Sequence, residues 1–280
     1  MPPFDFPMHD AQQILPQYVF VRALSPSVQK AAFHVQDTDG NDLCLKIVNP
    51  AFRGERLLRE VRALQLLRHQ NIACFVEYSD CTKGGQQIEY LVEEFIEGRD
   101  LTNVISDKEP WDQAQWDNLF AKLCDGLDEC RVKQVVHRDL KPSNVRVRVD
   151  NEPVIIDFGL SRHLDLISLT RTGEGARIGT PLYYAPEQFV GTKHDIDHRT
   201  DLFSLGVIMF EAMCGAHPFG APTTALDDLE DAICKSTSCF SLPEFQLLPA
   251  NVQVIIQRLL EKERARRPYA ASEVARILRG

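Results

Sequence analysis

Between Val135 and Val149 the chain reads VVHRDLKPSNVRVRV, and the groups able to do chemistry sit in a short polar loop: His137, Arg138, Asp139, Lys141, Ser143 and Asn144. Asp157 follows 13 residues past Asn144, inside Ile-Ile-Asp-Phe-Gly. Carboxylate and amide oxygens are the hard donors that a hard cation takes. A lysine inside the apolar run Leu43-Cys44-Leu45-Lys46-Ile47-Val48 adds a second cue. An ammonium in such a strand is costly unless it meets a partner or a ligand.

These groups need a scaffold, and the flanking patterns supply one. Residues 1–17 carry four prolines and read as an extended arm. Tyr18 to Val48 alternates apolar and polar residues around the turn signal Asp37-Thr38-Asp39-Gly40-Asn41, which predicts three antiparallel strands. From Arg53 to Leu67, Leu57, Val61, Leu64 and Leu67 recur at helical spacing. Glu89 to Glu94 reads as a strand running into a linker. The Val/Arg alternation after Asn144 reads as a short strand. The remainder is mainly helical: Trp111 to Arg131, Thr200 to Cys214, Ala225 to Ser236, Val252 to Leu260 and Ala271 to Leu278.

With its loop and its Asp157-Phe158-Gly159 triplet, the chain resembles a protein kinase specific for serine or threonine. The resemblance covers about residues 18–278. It implies an α+β, two-lobed fold: a small antiparallel sheet lobe with one main helix (18–96, after an arm at 1–17) and a larger, mainly helical lobe (97–280). It implies ATP and Mg²⁺ as cofactors and protein Ser/Thr hydroxyls as acceptors. Asp139 would orient the acceptor and take its proton. Lys141 would assist it and mark Ser/Thr specificity. Asn144 and Asp157 would ligate magnesium. Lys46 would hold the nucleotide's phosphates, paired with Glu60 on the small-lobe helix. Glu94 and Ile96 lie in the adenine-binding hinge, with Ala31 and Cys44 lining the slot.

The segment from Asp157 to Glu187 has the form of an activation loop closed by Ala185-Pro186-Glu187. Thr180 in Gly-Thr-Pro favours Ser/Thr specificity. Arg138 before Asp139 marks a loop ordered by phosphorylation, with Thr170 or Thr172 as the acceptor. Asp201 is expected to prop the catalytic loop, Arg267 to pair with Glu187, and His137 to pack with Phe158, Leu64 and Phe75 rather than act as a base.

Three departures stand out. The phosphate-covering loop reads Ala23-Leu24-Ser25-Pro26-Ser27-Val28-Gln29-Lys30-Ala31, without glycine. Proline removes one amide from the phosphate cradle and glycine's close approach is lost. Ser25, Ser27 or Lys30 would have to substitute. Glu93 falls at the gatekeeper position behind adenine, and Arg146 falls where an apolar residue usually floors the base. Both need pairing, so Glu93 is expected on the nucleotide or a nearby cation, and Arg146 stacked on adenine or swung outward.

A net charge of −9 argues against a nucleic-acid partner, which requires a concentrated basic surface. No apolar run is long enough to span a membrane, and the start MPPFDFPMHD lacks the pattern of a secretory leader. The eight cysteines contain no Cys-x-x-Cys pair, which reads as free thiols in a reducing, cytoplasmic setting. The rival reading is a pseudokinase that binds a partner, favoured by the glycine-free loop and the charged slot. A small-molecule kinase is disfavoured by Gly-Thr-Pro and Ala-Pro-Glu.

Overall fold

The computed structural model describes residues 2–53, 55–83, 86–107, 111–158, 181–190, 195–220 and 224–280, apart from the side chains of 55, 56, 59, 60, 83, 86 and 190. Thr170, Thr172 and Thr180 lie outside the described residues.

The first lobe is a five-stranded antiparallel sheet in the order β1-β2-β3-β5-β4. Its strands are β1 (Val19–Ala23), β2 (Lys30–Gln36), β3 (Asp42–Val48), β4 (Phe75–Lys83) and β5 (Gln86–Glu94). Side chains alternate between its two faces, and this decides where each residue goes. Phe33, Val35, Leu43, Leu45, Ile47, Ile88, Tyr90 and Val92 form one buried cluster on the outer face. Cys44, Lys46 and Glu93 take the opposite face.

The N-terminal arm is not extended throughout. After Pro7, whose fixed φ suits the residue ahead of a helix, Met8–Ile14 winds into helix α1. Ala11 and Leu15 are buried against the outer cluster, joined by Phe4 and Phe6. The predicted small-lobe helix is present as α2 (Glu55–Leu64), its Leu57, Val61 and Leu64 buried.

Over residues 95–98 the chain passes from β5 to a second, three-stranded sheet of β6 (Arg99–Asp100), β7 (Val145–Val147) and β8 (Pro153–Ile155). Gly98, at φ 140°, has no alternative there, because a Cβ would stand 2.2 Å from the Val147 carbonyl oxygen. Against this sheet pack α3 (Leu101–Ile105) and α4 (Gln113–Val132), and the rest of the lobe is built on them from α5 (Pro186–Val190), α6 (His198–Cys214), α7 (Leu226–Lys235), α8 (Pro243–Gln246), α9 (Ala250–Leu259) and α10 (Ala271–Arg279).

Helix α4 opens with a reciprocal cap between Asp112 and Gln115. Helix α6 is apolar nearly all round, buried from Thr200 to Phe210, and so forms the centre of this lobe. Of the eight cysteines, all free, Cys124, Cys130, Cys214 and Cys239 are buried and Cys74 is exposed.

Candidate active site

The polar loop is positioned from beneath by α6. Asp201 accepts from the backbone amides of His137 at 2.7 Å and Arg138 at 2.8 Å. This holds Arg138 in the left-handed region, φ 65°, a conformation that costs on the order of 1 kcal/mol or more and persists only when over-determined. Burial pushes the Asp201 carboxyl up to about 7, against the pull of those two amides. His137 is fully buried: its Nδ1 accepts from the Asp139 amide, and its Nε2 lies 3.0 Å from the Ile156 carbonyl. With its pKa lowered by burial, it packs 4.6 Å from the Phe158 ring.

Asp139 then faces two groups of its own loop. Lys141 donates to its Oδ2 at 3.1 Å, and Asn144 Nδ2 donates to its backbone carbonyl at 2.8 Å and to Oδ2 at 3.2 Å. Turning the amide nitrogen inward leaves Asn144 Oδ1 as the atom offered to a cation. The Ile156 amide donates to the Asn144 carbonyl at 2.9 Å, bringing Asp157, two residues past the end of β8, alongside the loop. Asp157 is itself in the left-handed region, φ 61°.

Above the loop, four charges form a chain across the cleft. Lys46, only 3% exposed, donates to Glu93 Oε2 and lies 2.7 Å from Asp157 Oδ1. Lys30, 7% exposed, donates to the same Asp157 oxygen at 2.5 Å. Burial alone would push the Lys46 ammonium toward neutrality, but Asp157 and Glu93 outweigh it and hold its pKa well above the ordinary lysine value. Burial likewise opposes ionisation of Asp157, and the two lysines overcome it and hold the carboxyl well below the usual range.

The sequence predicts that Lys46 pairs with Glu60. Here the ammonium is held from within the sheet, by Glu93. Cys44 and Glu93 are direct partners across β3 and β5, which puts Lys46 diagonal to Glu93 on the same face. Glu60 lies on α2, its side chain outside the described residues. Cys44, beside this pair, has its thiol pKa pushed up to about 11 by burial.

Arg146 does not reach across the slot. Its guanidinium donates to the carbonyls of Gly98 and, at 3.3 Å, Ile96, and to Asp100 Oδ1 at 2.7 Å. Glu94 accepts from Arg148 at 2.6 Å, on the far side of the linker. The loop between β1 and β2 closes on itself: Ser27 Oγ accepts from the amides of Gln29 and Lys30, and the Ser27 amide donates to the Lys30 carbonyl. Ala31 pairs with Ile47 at the start of β2, and Ser25 lies in the loop ahead of it.

At the far end, Arg267 and Glu187 form a two-pronged pair at 2.7 and 2.8 Å, and Thr200 donates to the same carboxylate at 2.8 Å. Asp100, which sequence reasoning did not assign to the site, is found in it, and Lys30, offered there only as a substitute in the phosphate loop, proves to be a second lysine on Asp157. Both had a signal. Lys30 opens the apolar run Lys-Ala-Ala-Phe, the same argument that singled out Lys46, and an arginine at an apolar position needs an acid nearby.

The residues gathered here fit a divalent cation, since Asn144 Oδ1, just ahead of β7, and the Asp157 carboxylate, just past β8, are hard oxygen donors. Comparison with known proteins agrees with the geometry. A family model described as the protein kinase domain matches residues 28–276. The serine/threonine-protein kinase pkn2 of Myxococcus xanthus is 30% identical over 253 residues, 85% of this chain and 29% of that protein. The serine/threonine-protein kinase PknA of Mycobacterium tuberculosis is 30% identical over 237 residues, 81% of this chain and 52% of that protein. The probable serine/threonine-protein kinase PknB of Corynebacterium glutamicum is 27% identical over 241 residues, 81% of this chain and 35% of that protein. The chain thus spans at most about half the length of these relatives. Within that span, the matched domain takes in the clamped loop, Asp157 and the sheet that carries Lys46, and the chain belongs to the protein kinase family.

Proposed function

We infer that this chain is a serine/threonine protein kinase, using ATP and magnesium to phosphorylate protein hydroxyls. The observation that carries the reading is the clamped loop, in which Lys141 and Asn144 converge on Asp139 at 3.1 and 3.2 Å. Phosphoryl transfer asks a protein mainly for positioning and charge neutralisation. Asp139 accepts the proton of the acceptor hydroxyl as its oxygen bonds to the γ-phosphorus. The bond from that phosphorus to the bridging oxygen breaks, and ADP leaves with the electron pair. Lys141 stands beside Asp139, where it neutralises charge on the moving phosphoryl group. Asn144 and Asp157 would hold magnesium, which when bound supplies positive charge to the phosphate oxygens. Lys46, fixed by Glu93, supplies a further cation from the sheet.

Two features weigh toward the pseudokinase alternative: several loop amides already committed to other partners, and an arginine at the position that usually floors the base, although its guanidinium is turned to Ile96, Gly98 and Asp100. Against it stands the complete set of Lys46, Asp139, Lys141, Asn144 and Asp157. Transfer of labelled γ-phosphate to a basic protein substrate, with wild type compared to Asp139→Asn, decides between them. Loss of at least about 100-fold in the variant is expected, general acid–base contributions lying between about 10² and 10⁴. Equal label from both proteins would end the enzyme reading.

Regulation by phosphorylation at Thr170 or Thr172 is part of the same proposal. Arg138 Nε is buried with no hydrogen-bond partner among the described residues, which suits a phosphate arriving from that segment. Intact mass after incubation with ATP checks it, and an unchanged mass counts against it. A cytoplasmic location is proposed on the free thiols. Among the described residues no helix is long and apolar enough to cross a membrane.

A further inference from the structure

The loop between β1 and β2 has already spent most of the amides with which such a loop would hold phosphate. The Leu24 amide donates to the Ala32 carbonyl at 2.8 Å and the Ser27 amide to the Lys30 carbonyl at 2.9 Å. The amides of Gln29 and Lys30 both go to Ser27 Oγ. Pro26 has none to give. The loop is braced from outside as well, by the Phe4 amide on the Ser27 carbonyl at 2.7 Å. Freeing these four amides would mean undoing the turn, so a phosphate entering the slot meets a depleted cradle and needs a further source of positive charge.

Lys30 is placed to meet it. The turn and the β2 to β3 ladder fix its backbone, Lys30 standing opposite Val48. Its side chain is directed into the cleft, with the ammonium 2.5 Å from Asp157 Oδ1. Lys46 shares that oxygen at 2.7 Å. Two ammonium groups on one carboxylate oxygen repel each other, and a buried lysine is uncommon without a purpose that repays its desolvation. A polyphosphate offers many oxygens to both, while a divalent cation takes over Asp157.

We propose that Lys30 is a nucleotide-phosphate-binding residue, which with Lys46 forms a two-lysine clamp in place of the amide cradle. The proposal rests on the kinase reading and adds to it the means by which the phosphates are held. On nucleotide binding, Lys30 exchanges Asp157 for non-bridging phosphate oxygens. Contacts to the nucleoside are untouched by this exchange.

The test is calorimetric binding of ADP and of adenosine, with and without Mg²⁺, to the full chain as wild type, Lys30→Met and Lys30→Arg. Removing a charged hydrogen bond should raise the Kd for ADP by about 10-fold or more. Adenosine, which lacks the phosphates, should bind within about 2-fold of wild type by the same argument, since the change touches no phosphate-independent contact. Lys30→Arg should restore much of the ADP affinity, and its recovery also controls for a folding defect in Lys30→Met.

If Lys30 serves only to neutralise Asp157, its removal will leave ADP affinity unchanged or strengthened by Mg²⁺, and the proposal falls. A parallel loss for adenosine and ADP overturns it too, by pointing to general damage. Wild type that binds neither ligand would overturn both this proposal and the kinase reading. Wild type that binds and transfers normally, with Lys30→Met indistinguishable from it, would overturn this proposal alone.

Discussion

Lys46 is held from within the sheet, by a carboxylate on the adjoining strand. Glu93 and Lys46 are diagonal neighbours on β5 and β3, and both are almost wholly buried. Breaking a buried pair by removing one charge strands the other, at a cost of about 3–5 kcal/mol. In Glu93→Met the Lys46 ammonium keeps Asp157, so part of that cost is avoided, but it loses the contact that fixes its direction. Phosphoryl transfer should fall by about 10- to 100-fold in kcat/KM, the range expected when a positioning contact to a charged group is lost. Steady-state kinetics on Glu93→Met and Glu93→Gln checks this. Activity equal to wild type in Glu93→Met would mean that Lys46 takes its position from elsewhere. The chemistry of the site was legible because its groups are adjacent in sequence or carried by a recurrent motif. Lys46–Glu93 was not, since the partner of a strand residue depends on sheet order and register, and β3 meets β5 only after α2 and β4 have intervened.

Among the elements, α6 has the most demanding surroundings. Its Gly206 lies against α9 so closely that an added Cβ would stand 2.7 Å from Leu259 Cβ and 3.2 Å from Leu260 Cδ2. Gly206→Ala gains helix propensity of nearly 1 kcal/mol. The overpacking it forces costs about 1–3 kcal/mol. The crowding wins because Leu259 and Leu260 are themselves fully buried and cannot turn aside. Urea denaturation should therefore show net destabilisation of up to about 2 kcal/mol. A stabilised variant would show that α9 can shift outward.

The end of α9 leads to Arg267, whose pair with Glu187 ties the helix to α5, and Arg267→Met should be the more damaging change. It leaves Glu187 buried with Thr200 alone, and about 3–5 kcal/mol of stability should be lost. The helices themselves were readable from their 3.6-residue periodicity. The arm, read as extended, hid its helix among prolines that sit outside both ends of Met8–Ile14, and β4 was not read as a strand.

At the scale of the whole molecule, the two lobes meet through charges at the cleft, and in the large lobe the buried His137 and the half-buried His217 contribute to how the protein responds to acid. His217 is held at about 4 by burial, its Nε2 3.1 Å from the Leu182 carbonyl and its Nδ1 accepting from the Phe219 amide. The unfolded chain has the ordinary value near 6.5. A folded-state pKa depressed in this way means that the unfolded state binds the extra proton first. The contribution of His217 is therefore complete above about pH 6.5 and is lost as pH falls toward 4. Between pH 7 and pH 5 that loss amounts to about 2 kcal/mol. His137, also neutral by burial, titrates in the same direction, so an acid profile of wild type alone does not isolate His217. Comparison with His217→Gln does, because the other buried groups are common to both proteins and cancel. The amide keeps a donor for the Leu182 carbonyl while removing the titration. Wild type should be the more stable protein at pH 7, and its advantage in urea denaturation should shrink by about 2 kcal/mol at pH 5. A difference that stays constant with pH would mean that His217 is protonated in the folded state as readily as in the unfolded chain, and that its contacts to Leu182 and Phe219 open to water at no cost.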